Sequence, residues 1–141
     1  MFVEIFSICD AATDYGGRLN LLGAFEGIAA SSAPIVRERC SLAVRIRFDA
    51  SETGSHKLEV RFVDKDGKAV GPKMGANLTV KIHAGRTSGA HNLVLNINRL
   101  QFPAFGTYDI QLLVDGEKRS SLPLLVAQTQ NRNRLRSSME N

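Results

Sequence analysis

The sequence predicts a single all-β domain, an immunoglobulin-like antiparallel β-sandwich of about seven to nine strands. Apolar and polar residues alternate at a period of two along most of the chain, and no stretch shows the apolar spacing of an amphipathic helix. Turn-forming residues recur about every 8–15 residues, which is typical of sandwiches and barrels. The length of 141 residues and the lack of an internal repeat or linker indicate one domain.

The first part of the chain predicts two or three strands. Residues 2–9 form a strand that is partly apolar on both faces, and residues 14–17 form a turn. Residues 18–30 continue as a second strand or as a bent pair of strands. Gly23 and Gly27 lie inside this segment, where glycine indicates a β-bulge or a close approach of two backbones.

The central part of the chain shows the clearest alternation. The segments 41–49 and 57–63 are each predicted as strands with one apolar face. A turn at residues 64–67 follows, and the same pattern returns at residues 78–82 and 93–97. We expect each of these strands to lie in a sheet with one face on the core.

A β-hairpin is predicted toward the end of the chain. Residues 107–114 and 122–126 form its apolar strands, and Asp115 and Gly116 form the turn between them. Asp-Gly favours a type I′ turn, because both central residues of that turn need a positive φ. Two paired strands cannot bury an apolar face alone, so the rest of the chain must supply the other half of the core.

The residues before this hairpin resemble the tyrosine corner of immunoglobulin-like domains. The connection at residues 99–106 is rich in apolar side chains, and Tyr108 stands near the start of the next strand. In a tyrosine corner the hydroxyl group bonds to the backbone of the preceding crossover. We therefore expect Tyr108 to be mostly buried, with its hydroxyl bonded to a backbone group of this connection. The cysteine that usually follows two positions later is Ile110 here.

The composition argues against a membrane or secreted protein. Hydrophobic residues make up 43% of the chain, and no apolar run approaches the ~20 residues that a membrane span needs. Residues 1–10 are interpreted as a first strand and not as a signal peptide, because Glu4 interrupts them and no basic region precedes them. The expected location is the cytoplasm, with Cys9 and Cys40 as reduced thiols and no membrane partner.

The net charge of +4 is unevenly distributed. We expect a β-sandwich domain at residues 1–127 and a mobile basic tail at residues 128–141. The tail carries three arginines at alternate positions, Arg132, Arg134 and Arg136. Such a tail either adds nonspecific affinity for nucleic acid or only keeps the chain soluble.

The sequence contains no strong motif for catalysis or metal binding. It has neither a Gly-x-Ser-x-Gly elbow nor a Cys-x-x-Cys pair. His83 and His91 could face each other across a hairpin, but a zinc site needs further ligands and none is evident. The segment Asp64–Gly67 has part of the pattern of a calcium loop and lacks the rest, so it predicts a plain turn. We therefore predict no catalytic residue, no metal and no cofactor.

The outward residues of the central strands form a candidate anion-binding site. Arg45, Arg47 and Arg61 alternate with inward apolar residues, and Glu59 lies among them. If the two strands are neighbours, Arg47 lies opposite Glu59 and Arg45 lies opposite Arg61, whereas a slip of two residues pairs Arg45 with Glu59. Such a face either binds an anionic ligand, nucleic acid or an acidic protein, or it is only a solvated surface.

Several segments resemble a family of small bacterial proteins that is known only as a domain of unknown function. The similarity rests on MFVEIFSICDAATDYGGRLNLLGAFEGI at the start of the chain, and on FGTYDIQLLVDG and SLPLLV near its end. It spans most of residues 1–127. The resemblance implies the fold and a bacterial cytosolic origin, and it implies no activity, cofactor or catalytic residue.

These observations favour a non-enzymatic binding or assembly module. The edge strands and end loops of a sandwich are suited to binding another protein. The alternatives are a binder of an anionic ligand or nucleic acid through the basic face, and an enzyme whose site has no recognisable motif. Nucleic acid is less favoured than a protein partner, because no aromatic side chains interleave the arginines.

Overall fold

The computed structural model describes residues 1–129, which form nine β-strands and one short 3-10 turn, Ala50–Glu52. The strands are β1 (Phe2–Tyr15), β2 (Arg18–Ala24), β3 (Gly27–Ala30), β4 (Ile35–Asp49), β5 (Gly54–Val63), β6 (Ala69–Val80), β7 (Ser88–Phe102), β8 (Gly106–Val114) and β9 (Glu117–Gln128). This confirms the all-β class. No helix in these residues is long and apolar enough to cross a membrane. Apart from its first two residues, the predicted basic tail lies outside the described residues.

The strands form two sheets that differ in shape. The four-stranded sheet has the order β2-β1-β4-β7, and the five-stranded sheet has the order β3-β9-β8-β5-β6. The five-stranded sheet curls into a half-barrel, and its edge pair β3 and β9 is parallel. The prediction of a wholly antiparallel sandwich is wrong at this pair, because β3 arrives from the other sheet and not through a hairpin with β9. These features do not confirm an immunoglobulin-like arrangement.

The core lies between the two sheets and is built by the alternating strands. Its buried members include Cys40, Leu42, Val44, Ile46 and Phe48 of β4, Leu58, Val60 and Phe62 of β5, and Ile110, Leu112 and Val114 of β8. The inward faces predicted for residues 41–49 and 57–63 are thus confirmed.

Although β4 and β5 are consecutive in the chain, they are not neighbours in a sheet. β4 pairs with β1 and β7, whereas β5 pairs with β6 and β8. The 3-10 turn between them carries the chain from one sheet to the other. The predicted register, with Arg45 opposite Arg61 and Arg47 opposite Glu59, is therefore wrong, and so is the alternative pairing of Arg45 with Glu59. Alternation determines the faces of a strand but not which strand lies beside it.

The β8–β9 hairpin and the tyrosine corner both form as predicted. Asp115 and Gly116 connect the strands with φ values of 51° and 84°. Tyr108 is 4% exposed, and its hydroxyl group donates to the carbonyl oxygen of Ala104 at 2.6 Å. This hydrogen bond ties the start of β8 to the connection that precedes it.

Cys9 and Cys40 are free, buried thiols. They lie on neighbouring strands but point to opposite faces of the sheet, since Cys9 pairs with Ser41 and not with Cys40. Burial raises the pKa of both thiols, so both stay protonated near neutral pH.

Candidate functional site

The first hairpin, formed by β2 and the second half of β1, folds back over the outer face of the four-stranded sheet. β1 pairs with β4 as far as Cys9 and with β2 beyond it. At the hairpin tip, the side-chain amide of Asn92 on β7 donates to the carbonyl oxygen of Gly17 at 3.0 Å and to Oδ1 of Asp14 at 3.3 Å. The tip is therefore held against β7, on the far side of β4 from β1.

The base of this hairpin is fixed at Asp10 and Gly23. Gly23 has a φ of +69°, and the side chain of Asp10 occupies the place that a Cβ atom would need. The approach at Gly23 is thus made by a side chain, whereas the predicted close approach of two backbones is found at Gly27, where a Cβ atom would lie 3.3 Å from the carbonyl oxygen of Leu125. Asp10 forms an ion pair with Arg37 of β4, whose guanidinium carbon lies 4.0 Å from the ring centroid of Phe25. These contacts fix the base of the hairpin as Asn92 fixes its tip.

The first hairpin has an inner face that covers the sheet and an outer face that solvent reaches. Ser41 and Ala43 point away from the main core, yet they are only 4% and 0% exposed, and β2 contacts β4 although β1 lies between them in the sheet order. Leu22 and Tyr15 point outward and are 71% and 81% exposed. A shallow depression of about 310 Å³ next to Leu22 has an uncharged lining: Ala11, Ala12, Thr13, Asn20, Leu21 and Leu22.

β2 is an edge strand with little protection against pairing with another chain. Among the described residues it pairs with β1 alone. Its sequence contains no proline or lysine, and its one charged residue, Arg18, lies at the hairpin tip. The other edges are less open: β3 has four residues, Gly71–Lys73 interrupts β6, and β7 packs against β6.

Arg45 and Arg47 lie side by side on the outer face of the four-stranded sheet and share one carboxylate. Glu4 accepts a hydrogen bond from Nε of Arg47 at 2.6 Å and lies 3.4 Å from Nε of Arg45. The register of β1 against β4 shifts between Val3 and Ile5, so Glu4 is the extra residue of a β-bulge. Bulges redirect side chains, and this one brings a carboxylate to the arginine pair.

Further donors of the arginine pair are engaged by β7. Nη1 of Arg45 donates to Oδ1 of Asn92 at 3.0 Å, and Nη1 of Arg47 donates to Oγ of Ser88 at 3.1 Å. Asn92 therefore connects Arg45 to the tip of the first hairpin. Through Asn92, Arg45 helps to hold the hairpin on the sheet, whereas Arg47 joins β4 to Glu4 and to Ser88.

Arg61 lies in the other sheet. The prediction that the three arginines share one face is wrong, because β4 and β5 belong to different sheets. Arg61 lies opposite Gln111 of β8 and donates from Nη2 to Glu59 at 3.2 Å. Its buried Nε has no hydrogen-bond partner within the described chain. Hydrogen bonds from Lys57 and Arg61 hold the pKa of Glu59 below its ordinary value.

A cavity of about 430 Å³ opens beside Arg61. β6 bulges at this point, since the segment Gly71–Lys73 lies opposite Arg61 alone in the register of β5 and β6. The polar side chains of the lining belong to Arg61, Lys73 and Gln111, and the lining contains no acidic residue.

His56, which the sequence analysis did not single out, joins two turns of the fold. Its Nδ1 lies 2.6 Å from Oδ2 of Asp115, and its Nε2 lies 2.6 Å from the carbonyl oxygen of Glu52. These hydrogen bonds, first to Glu52 and then to Asp115, raise the pKa of His56. A hydrogen bond from the backbone N–H of Lys57, and then the one from His56, lowers the pKa of Asp115. The Asp-Gly pattern located Asp115 but carried no signal for a partner so distant in sequence.

No metal centre is assembled in residues 1–129, where no three histidine, cysteine, aspartate or glutamate side chains gather closely enough to hold an ion. His91 packs edge-on against Phe48, with the ring centroids 5.7 Å apart. Oδ1 of Asp64 accepts from the backbone N–H groups of Asp66 and Lys68, both at 2.9 Å. The segment with part of a calcium-loop pattern is therefore a turn closed by its own aspartate, as predicted.

Comparison with known proteins identifies a family but no activity. One solved structure that resembles the chain is the alkylpurine DNA glycosylase AlkC of Pseudomonas fluorescens, bound to DNA containing an abasic site analog. The identity is 11% and the TM-score 0.48, with 89% of this chain and 30% of that chain covered, and so remote a likeness carries no argument about function. No curated protein matches the chain. A family model matches residues 4–127, and the chain therefore belongs to DUF6941, a family of unknown function.

Proposed function

We propose that this chain is a protein-binding module that takes an extended segment of a partner protein onto strand β2. The observation that carries the proposal is the open edge of β2 beside the exposed side chain of Leu22. A peptide that adds a strand to a sheet edge gains affinity from main-chain hydrogen bonds and specificity from pockets for alternate side chains. The first hairpin offers both a free backbone edge and an apolar depression next to it.

The contacts at both ends of the first hairpin support this role, because they hold the edge in place before a partner arrives. Asn92 bonds the tip, and the Asp10–Arg37 ion pair fixes the base. An edge that is already ordered loses little conformational entropy on binding. The partner then supplies the missing row of backbone hydrogen bonds to a preformed template.

The chemistry of the depression defines the partner segment. Its lining has no charged residue, and Leu22 stands in it with 71% of its surface exposed. The partner is accordingly an uncharged, extended segment with apolar side chains at alternate positions, one of which packs on Leu22. A charged side chain at that position is disfavoured, because no opposite charge in the lining would offset the free-energy cost of its desolvation.

Nucleic acid draws less support as a partner of the four-stranded sheet. Binding of phosphates needs cations that can release counterions, and Glu4 already shares its charge between Arg45 and Arg47.

The free thiols of Cys9 and Cys40 support the cytoplasmic location as part of this proposal, and subcellular fractionation tests it.

The proposal is tested by selecting peptides from a random displayed library on the immobilised full chain. We expect the selected peptides to share apolar residues at alternate positions and to slow amide hydrogen exchange in β2. Replacement of the exposed leucine by a charged residue, Leu22→Lys, should weaken their binding about tenfold or more, which corresponds to ~1.4 kcal/mol.

The matched control is Leu125→Lys, because Leu125 is 52% exposed on β9 of the other sheet. This control should leave peptide binding unchanged. Peptides that bind the Leu22→Lys chain as tightly as the original, or that protect a strand other than β2, would contradict the proposal.

A further inference from the structure

We propose that the cavity beside Arg61 binds a small organic anion, one that carries a phosphate or a carboxylate group. The cavity volume of about 430 Å³ lies within the usual range of small-molecule sites. The site belongs to the five-stranded sheet and contains no residue of the first hairpin. The proposal of an anion site therefore does not depend on the proposed protein-binding edge.

The bulge of β6 creates the space. Gly71 has a φ of +74°, a left-handed conformation that favours glycine, and Pro72 has no backbone N–H to give to the ladder. The strand therefore leaves its partner β5 at this point and returns to the regular register at Met74. The gap lies directly opposite Arg61, so the strand irregularity and the cation occur at the same place.

The charges of the cavity select an anion. Arg61 and Lys73 both belong to the lining, and no carboxylate does. Glu59 bonds to Arg61 but is not part of the lining, and it also bonds to Lys57. This differs from Arg45 and Arg47, between which a carboxylate already lies.

The guanidinium of Arg61 has an unused donor. Its buried Nε has no acceptor among the described residues, and a buried N–H without a partner is unfavourable. An oxygen of a ligand in the cavity would give this nitrogen the acceptor that it lacks. Arginine binds phosphate and carboxylate through two parallel hydrogen bonds, and the amide of Gln111 is adjacent to orient the same group.

The remaining lining restricts the rest of the ligand. Val63, Val70 and Pro72 give the cavity an apolar wall. The ligand is therefore a compact molecule with one anionic end and a mostly apolar body. A long polymer such as nucleic acid would need cations beyond the cavity to track its backbone.

The test is a titration of the full chain, labelled with ¹⁵N, with sodium phenyl phosphate and separately with sodium benzoate, which share an apolar ring and differ in the anionic group. Sodium chloride keeps the ionic strength constant. We expect saturable shifts of the Arg61 Nε–H, the Gln111 side-chain amide and the Gly71 amide with at least one of the two anions. The anion that binds more tightly tells whether phosphate or carboxylate is the preferred group. Arg61→Gln should weaken the apparent affinity about tenfold, and Lys73→Gln about threefold.

The matched control is Arg119→Gln. Arg119 lies on the same sheet, is 38% exposed against 42% for Arg61, and pairs with Glu117 as Arg61 pairs with Glu59. Its replacement should leave the shifts unchanged. The proposal is overturned if neither anion gives saturable shifts, or if Arg61→Gln leaves them unaltered. If the Arg61→Gln chain does not fold, the Lys73→Gln chain provides the test, because Lys73 lies on the exposed bulge. An unchanged affinity of the Lys73→Gln chain for both anions would then overturn the proposal.

Discussion

The arginine pair of the four-stranded sheet and the single arginine of the five-stranded sheet have similar sequence patterns but different surroundings. Arg45 and Arg47 share the carboxylate of Glu4, and Arg45 bonds to Asn92. Arg61 leaves its Nε without a partner and borders a cavity. The cause lies in the neighbouring strands: the bulge in β1 brings a carboxylate to the first site, whereas the bulge in β6 opens space at the second. The shape of the neighbouring strand thus determines whether an outward arginine is bound within the protein or is available to a ligand.

The largest effect should come from Asn92→Ala, which removes the connection between Arg45 and the first hairpin. Asn92 accepts from Arg45 and donates to Gly17 and Asp14. Loss of these partly exposed hydrogen bonds should lower the free energy of unfolding by about 1.5–3 kcal/mol and speed amide exchange in β2. Urea denaturation and hydrogen exchange measure the two effects.

The control for this substitution is Asn98→Ala, an exposed asparagine on the same strand. It should change the free energy of unfolding by less than about 0.5 kcal/mol. Equal losses for the two substitutions would show that the hairpin is held by its apolar inner face and not by Asn92.

A smaller loss of stability is expected for Glu4→Gln. The amide keeps the shape of the side chain but leaves Arg45 and Arg47 as adjacent like charges. Their side chains are 27% and 34% exposed, so solvent screens much of the repulsion, and we expect a loss of about 1 kcal/mol. Denaturation at low and high salt checks this, because added salt should shrink the difference between the variant and the original chain. A difference that does not depend on salt would argue for lost packing instead.

The faces of the strands could be predicted from sequence, but their neighbours could not. Alternation correctly placed Ile46 and Val60 in the core, and the Asp-Gly pair correctly located a turn. Both features depend on residues close together in the chain. The separation of Arg45 from Arg61 depends instead on the short 3-10 turn that sends β5 to the other sheet, and alternation is the same whichever sheet a strand joins.

The candidate sites were harder to predict, because they arise from irregularities. The bulge at Glu4 is one extra residue in an otherwise regular strand, and no pattern in the sequence distinguishes it. Gly71 and Pro72 are residues that interrupt strands, but no pattern in the sequence shows that the interruption lies opposite Arg61. Asn92 had no recognisable signal, since its three partners come from β4 and from the tip of the first hairpin. The role of a residue that joins distant elements can be recognised only when the positions of those elements in the fold are known.

At neutral and alkaline pH, the titration of His56 separates its ion pair with Asp115 from the arginine sites, because arginine keeps its charge in this range. The pKa of His56 is raised, so its contribution to stability is fully present below about pH 6.5 and is lost as the pH rises through the raised pKa. The pKa of Asp115 is lowered, so its contribution is present above about pH 3.9 and is lost as the pH falls through the lowered pKa.

The His56→Gln chain should therefore lose less stability than the original chain as the pH rises above about 6.5 and through the raised pKa of His56. The difference should be smaller than the effect of Asn92→Ala, since the pair lies partly exposed at a turn, with Asp115 49% exposed. Thermal unfolding of both chains at several pH values measures it. Parallel pH curves would contradict this prediction, because they would show that folding leaves the pKa of His56 unchanged.

The smallest effect on stability, and the sharpest contrast between the two arginine sites, should come from Glu59→Gln. The substitution removes the acceptor of Nη2 of Arg61 but leaves the arginine beside its cavity. It should barely change the melting temperature, because the bonds it removes join Glu59 to the exposed side chains of Lys57 and Arg61. Phenyl phosphate or benzoate should bind about threefold more tightly, since the substitution removes a competing carboxylate. Glu4→Gln makes the same chemical change at Arg45 and Arg47, where Asn92 and Ser88 still occupy the arginine donors, and it should create no comparable affinity. Tighter anion binding by the Glu4→Gln chain, without tighter binding by the Glu59→Gln chain, would show that the neighbouring bulges do not cause the difference between the two sites.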